Sequence, residues 1–86
     1  MIILDVRSKR EFDAGHVPGA RHLPFWAVLA EAPRLSIDAD APITVYCGHG
    51  PRAWVAKAAL RARGFSKVRL LAGHMRRWKR EGRPLE

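Results

Sequence analysis

Only one cysteine, Cys47, occurs in this chain of 86 residues, so no disulfide can close within it and the fold carries no covalent staple. Acidic residues are scarce too. Eight Asp and Glu stand against sixteen Lys and Arg, a formal net charge of +8, which draws anions toward the molecule and speeds their arrival without naming them. No apolar run approaches the roughly 20 residues that a helix needs to cross a bilayer, so no membrane association is expected. Repeats, low-complexity tracts and Gly/Ser linkers are missing, which leaves a single domain over residues 1–86 with a small core. The opening Met1-Ile2-Ile3-Leu4-Asp5 lacks the basic and apolar regions of a secretory leader, so the cytoplasm is the expected location. His16, His22 and His74 have no second cysteine or carboxylate at ligand spacing, and neither a metal nor a cofactor is expected.

What is present alternates between two periods. Ile2 to Val6, Ile43 to Tyr46 and Val68 to Leu71 are short apolar runs of the kind buried on both faces of a parallel sheet. Ala20 to Leu23 is a further short extended segment after the Pro18-Gly19 turn. Ser8-Lys9-Arg10-Glu11 is a capping box that starts a helix, with Gly15 as its stop. Pro24 opens a brief helix through Phe25, Val28 and Leu29 that is expected to end before Pro33. Arg52 to Arg63 has helical composition, with Val55, Ala56, Ala59 and Leu60 assigned to one face and Gly64 as the stop. A last helix runs from about His74 to Glu81, and its Trp78 is expected in the core. The order is that of an α/β protein with a parallel sheet, whose sites gather at the C-terminal ends of the strands.

Cys47 stands at such an end, between a strand and the helix that follows. A thiol there meets the outward-pointing amides and the positive end of the helix dipole, which favour its anionic, nucleophilic form. Gly48 and Gly50 let the backbone curl so that successive N–H groups face inward and hold an oxyanion. Pro51 suits the first helical turn, and Arg52 brings a planar fork of donors for a sulfonate or phosphate edge. The alternative for Cys47, a small apolar residue closing a strand, requires a plainer neighbourhood than this one. His49 fits two roles equally, a donor to a bound anion or a surface residue. The basic excess after Pro51, in Arg76, Arg77, Lys79, Arg80 and Arg83, is read as a solvated helix face, and nucleic acid is not an expected partner.

Asp5-Val6-Arg7, Glu11-Phe12 and Gly15-His16-Val17-Pro18-Gly19-Ala20 resemble the first signature of the rhodanese homology domain. Cys47-Gly48-His49-Gly50-Pro51-Arg52-Ala53 is similar to that family's active-site loop, and Gly64-Phe65, Val68, Leu71, Gly73, Trp78, Gly82 and Pro84-Leu85 resemble its C-terminal signature. The resemblance implies a small three-layer fold with helices on both faces of the sheet, and a thiosulfate sulfurtransferase. In that reading Cys47 is catalytic, taking sulfur from a small anionic donor as a persulfide and passing it to a thiol, a protein acceptor or cyanide. Gly48, His49, Gly50, Arg52 and Ala53 bind the substrate, and Asp5 and Arg7 organise the region beneath the loop. Phosphatase and arsenate-reductase relatives place five residues between the cysteine and the arginine; four stand here, a tighter loop that favours sulfur transfer. A persulfide relay docking an acidic partner on the basic helix, or a non-catalytic interaction module, is the alternative. Two departures stand out. The usual N-terminal strand and helix are missing, which leaves a sheet edge bare for a partner or a second copy. Gly73-His74 replaces the usual Gly-Gly, and His74 is taken to alter a turn.

Overall fold

The computed structural model describes residues 2–86. Four strands, β1 (Ile2–Asp5), β2 (Arg21–His22), β3 (Ile43–Tyr46) and β4 (Val68–Leu70), form one parallel sheet in the order β2-β1-β3-β4. Helix α1 (Lys9–Ala14) connects β1 to β2, and α2 (Val28–Glu31) lies between two 3-10 turns, Phe25–Ala27 and Ala32–Leu35. Helix α3 (Pro51–Ala62) links β3 to β4, and α4 (His74–Arg80) follows the last strand.

Side-chain alternation in the two central strands decides what lies on each face of the sheet. Leu4 pairs with Val45, and these belong to a buried cluster with Val28 and Ala32 of the α2 segment and Ala53, Ala56 and Leu60 of α3. One residue out of phase, Ile3 pairs with Thr44 and Asp5 with Tyr46. On this opposite face Tyr46 packs with Val17 and with Met75 of α4, bordered by Ile3, Leu71 and Trp78. Helices therefore cover both faces. Cys47 follows Tyr46 and returns to the α3 face, where it joins the larger cluster.

Three details of packing differ from the sequence expectation. The segment after Pro24 continues through Pro33, because proline opens the second 3-10 turn, where its missing N–H costs little. Helix α3 buries Ala53, Ala56 and Leu60, while Val55 is 53% exposed, because the positions spaced three and four apart from Ala53 set the contact stripe. Trp78 is half-buried beside the smaller cluster rather than in the core, and its indole N–H donates to Pro84 O at 2.7 Å, tying down the C-terminal tail. With β1 and β3 in the middle, the sheet edges are the two-residue β2 and the three-residue β4. Lys67 and Arg69 put like charges on the β4 edge, a feature that discourages strand pairing between copies.

Leu60→Ala is expected to lower the unfolding free energy by about 2–5 kcal/mol, whereas Val55→Ala changes it by no more than about 0.5 kcal/mol. Urea unfolding of the two variants checks the assignment of the α3 face; equal losses would contradict it.

Candidate active site

The carboxylate of Asp5 sits with no exposed surface at the end of β1, and its partners come from two parts of the chain. Arg7 Nη2 donates to Asp5 Oδ2 at 2.7 Å, and its Nε donates to both carboxylate oxygens, at 3.0 and 3.1 Å. The Tyr46 hydroxyl donates to Oδ2 at 2.7 Å and accepts from the Val17 amide at 3.0 Å. Arg7 Nη2 also donates to Gly15 O at 2.7 Å. Burial pushes the Tyr46 phenol well above its ordinary value, so it stays a proton donor to Asp5. This network joins both halves of the first motif to the strand that carries Cys47, and it has the organising geometry expected of Asp5 and Arg7.

Above it, the loop from Cys47 to Gly50 is held from two sides. Helix α3 begins at Pro51 and turns the amides of its first turn toward the loop. The Gly50 N–H donates to Cys47 Sγ at 2.9 Å, and Gly50 adopts φ 135°, a conformation that suits glycine alone. Helix α4 acts on the opposite groups: the amides of Met75 and Arg76 donate to the carbonyls of Cys47 and Gly48 at 3.0 and 2.9 Å. These carbonyls point to α4, while the Gly50 N–H points to the thiol.

Cys47 is fully covered by the loop, not open to it as its strand-end position suggests. The Arg52 charge lies within electrostatic reach of the thiol, and no side chain at Gly48 intrudes on its guanidinium. Its fork is engaged as well: Nη1 and Nη2 donate to Glu11 Oε1 and Oε2 at 2.6 and 3.0 Å. Glu11 serves at once as the capping-box residue of α1 and as the partner of Arg52, a pairing across 41 residues that local pattern does not reveal. Ala53 is wholly in the core, so only its backbone faces the loop. His49 is exposed and lines the cavity over the loop.

That cavity, about 420 Å³, is lined by Arg7, Glu11, Gly48, His49, Arg76 and Lys79, together with Met75. Arg76 and Lys79 therefore belong to the rim of the site instead of a purely solvated face; their spacing of three on α4, each one residue after the inward Met75 and Trp78, was the available signal. His74 also departs from expectation. Its ring is buried and its Nδ1 accepts the Cys47 N–H at 3.2 Å, so its effect reaches the loop directly and is not confined to a turn. Among the described residues no cluster of His, Cys, Asp and Glu could hold a metal ion, and no helix is long and apolar enough to cross a membrane.

The sequence matches the Rhodanese-like domain family over residues 1–81. It is 40% identical over 78 residues to thiosulfate sulfurtransferase GlpE of Pseudomonas putida, covering 91% of this chain and 69% of that protein. The fold is similar to a rhodanese-like domain of an Anabaena protein, with a TM-score of 0.90 and 32% identity, covering 100% of this chain and 98% of that one. It is also similar to a human single-domain sulfurtransferase, with a TM-score of 0.82 and 25% identity, covering 93% of this chain and 81% of that one.

Two outcomes test this architecture. Asp5→Ala strands the Arg7 charge in the interior and is expected to cost about 3–5 kcal/mol in urea unfolding. Glu11 is held down to about 2 from 4.5, first by the Arg52 hydrogen bond and, against the opposing effect of burial, by Ser8. A carboxyl lowered on folding contributes stability that is full above its unfolded value and lost as pH falls toward its folded one. The pair is partly exposed, which screens it to about 1 kcal/mol or less. Glu11→Gln should therefore flatten the fall in stability between pH 4.5 and about 2, as read by denaturant midpoints across that window.

Proposed function

Because this chain belongs to the rhodanese-like domain family, two of whose similar members named above are sulfurtransferases, we propose that it moves sulfane sulfur through a persulfide on Cys47. The observation that carries this reading is the setting of Cys47 Sγ, with the Gly50 amide at 2.9 Å, Arg52 beside it and a basic cavity above. In the first half-reaction the Cys47 thiolate attacks the outer sulfur of thiosulfate, the S–S bond of the donor breaks, and sulfite departs with the electron pair. An acceptor thiolate then attacks the outer sulfur of the persulfide, and Cys47 leaves again as a thiolate.

Each surrounding group has a share in this cycle. Loop amides and the α3 N-terminus stabilise the thiolate, then the persulfide anion. Gly48, His49 and Gly50 shape the oxyanion side, Ala53 offers only its backbone, and Arg76 and Lys79 bring charge to an anionic donor. Arg52 brings its charge to the sulfur side of the loop, and Glu11 holds its guanidinium through both Nη atoms. A bound sulfur extends the side chain by about 2 Å, which carries the reactive atom from the covered position of Sγ toward the cavity. Thiosulfate as donor and a thiol as acceptor are the substrates assigned here, with the cytoplasm as the site of action and the chain acting as one domain.

Intact-mass measurement after thiosulfate treatment should show a gain of one sulfur that Cys47→Ser abolishes while its circular dichroism is unchanged. No gain in the parent protein, or an equal gain in Cys47→Ser, excludes the persulfide. Arg52→Ala should lower kcat/KM for thiosulfate about tenfold to a hundredfold, since it removes a charged hydrogen bond and leaves Glu11 unpaired beside an anionic donor. Adding Glu11→Gln to Arg52→Ala should restore part of that loss. Stopped-flow measurement of the two half-reactions checks this, and equal losses in both count against a donor-side role.

A further inference from the structure

His74 occupies a backbone conformation that residues with a β-carbon seldom adopt. Its φ is 52°, directly after Gly73 at φ 74°, so the entry to α4 takes two consecutive left-handed steps. Glycine would meet this geometry without strain, and a side chain retained in such a position points to a role for it. The ring is 8% exposed and lies against the active loop. Nδ1 accepts the Cys47 N–H at 3.2 Å, and Nε2 lies on the Gly50 side, 3.6 Å from where a β-carbon on Gly50 would stand. An accepting Nδ1 requires the proton of the neutral ring to sit on Nε2.

We propose that His74 is a positioning residue for Cys47: its neutral ring fixes the Cys47 peptide through Nδ1, and its protonation uncouples the loop at acid pH. The proposal rests on the Cys47 sulfur-transfer reading for its kinetic consequence, but not for the hydrogen bond itself. Three bonds converge on the peptide units around the nucleophile, from His74 Nδ1 to the Cys47 N–H and from the α4 amides to the Cys47 and Gly48 carbonyls. His74 begins α4, so one residue both accepts from the loop and sets the entry of the helix that donates to it. A proton on Nδ1 would oppose donor to donor, and the Cys47 amide would have to turn away.

The surroundings favour the neutral ring. Burial lowers the affinity of His74 for a proton, and the charge of His49 across the loop lowers it further. Arg52 faces the Cys47 sulfur from α3 with Glu11 of α1 as its counter-charge, and Arg76 and Arg77 follow on α4. The Asp5–Arg7 pair, joined to Tyr46 next to Cys47, is compensated internally. The Cys47 thiol, next to the amide that His74 accepts, completes the titratable groups around the ring. A histidine lowered on folding contributes stability that is full above its ordinary value of 6.5 and is lost as pH falls through the lower folded value.

Two variants separate position from bulk. His74→Asn keeps an acceptor at the same branch point, tolerates positive φ and cannot titrate, whereas His74→Gly relieves the backbone and removes the acceptor. Persulfide formation from thiosulfate should fall about tenfold in H74G at neutral pH and stay within about threefold of the parent in H74N, and the acid loss should be shallower in H74N than in the parent. Independently of turnover, 15N NMR of the donor-free protein should show Nδ1 of His74 unprotonated at neutral pH, with the Cys47 amide resonance moving along the His74 titration and standing still in H74N. A protonated Nδ1, a Cys47 amide indifferent to that titration, or an H74G variant as fast as the parent would overturn the proposal. Absence of sulfur transfer in every form, with the NMR couplings as expected, would instead fault the activity and leave the His74 contact standing.

Discussion

A carboxylate shut away from water has to be met by donors, and Asp5 at the end of the central strand sets that requirement for the whole C-terminal side of the sheet. Arg7 and Tyr46 answer it, and each answer fixes another segment. Arg7 is drawn over Gly15 O, closing the loop around α1, and the Tyr46 hydroxyl receives the Val17 amide, drawing the following segment onto the sheet. With Tyr46 locked to Asp5 by both strand register and side chain, the next residue, Cys47, has one direction in which to leave the strand. The D-V-R spacing is thus a device for burying one ion pair where the reactive loop begins. Breaking such a pair from one side is costly, which keeps the arrangement rigid even though an ion pair buried whole adds little net stability.

On that base the loop is shaped by opposed demands on its two kinds of backbone group. Helix α3 supplies unpaired amides at its start, and α4 uses its own first amides to occupy the carbonyls of Cys47 and Gly48. Carbonyl oxygens engaged by α4 and the Gly50 N–H turned to the thiol leave the positive ends of backbone dipoles on the sulfur side of the loop. Side-chain charge reinforces it through Arg52, Arg76 and Lys79, consistent with the +8 excess of the chain. Glu11 is the exception among the lining groups, and its engagement with Arg52 keeps its own charge from repelling an arriving anion.

Local chemistry was legible in the sequence and distant pairing was not. Ser8 and Glu11 form the expected capping box because both partners lie within one turn. The buried strands and the placement of Cys47 at the end of β3 follow from apolar runs and a Gly-Pro turn, and the three motifs named the fold. The α3 face was misassigned because Ala53, Val55, Ala56 and Ala59 make the helix apolar on several sides, so composition could not choose the stripe that the sheet selects. Glu11 and Arg52, 41 positions apart, meet only once β1 and β3 are paired. His74 was hidden differently: a non-glycine residue where glycine is usual looks like a change of turn until its ring is seen beneath Cys47.

Complete coverage of Cys47 bears on selectivity as well as on chemistry. A cysteine is open to oxidation in proportion to its exposure, so Cys47, buried at the base of its loop, is shielded. For the sulfur transfer proposed above, the basic cavity over the loop suits a small anionic sulfonate better than a bulky disulfide. In the proposed persulfide the outer atom would stand about 2 Å beyond Sγ, within closer reach of an acceptor thiol than Cys47 itself. On that proposal, the covering over Sγ is offset for the acceptor step by the length of the S–S bond. A loop with one more residue between Cys47 and Arg52 would widen the cradle and weaken that distinction, and the four-residue spacing keeps it.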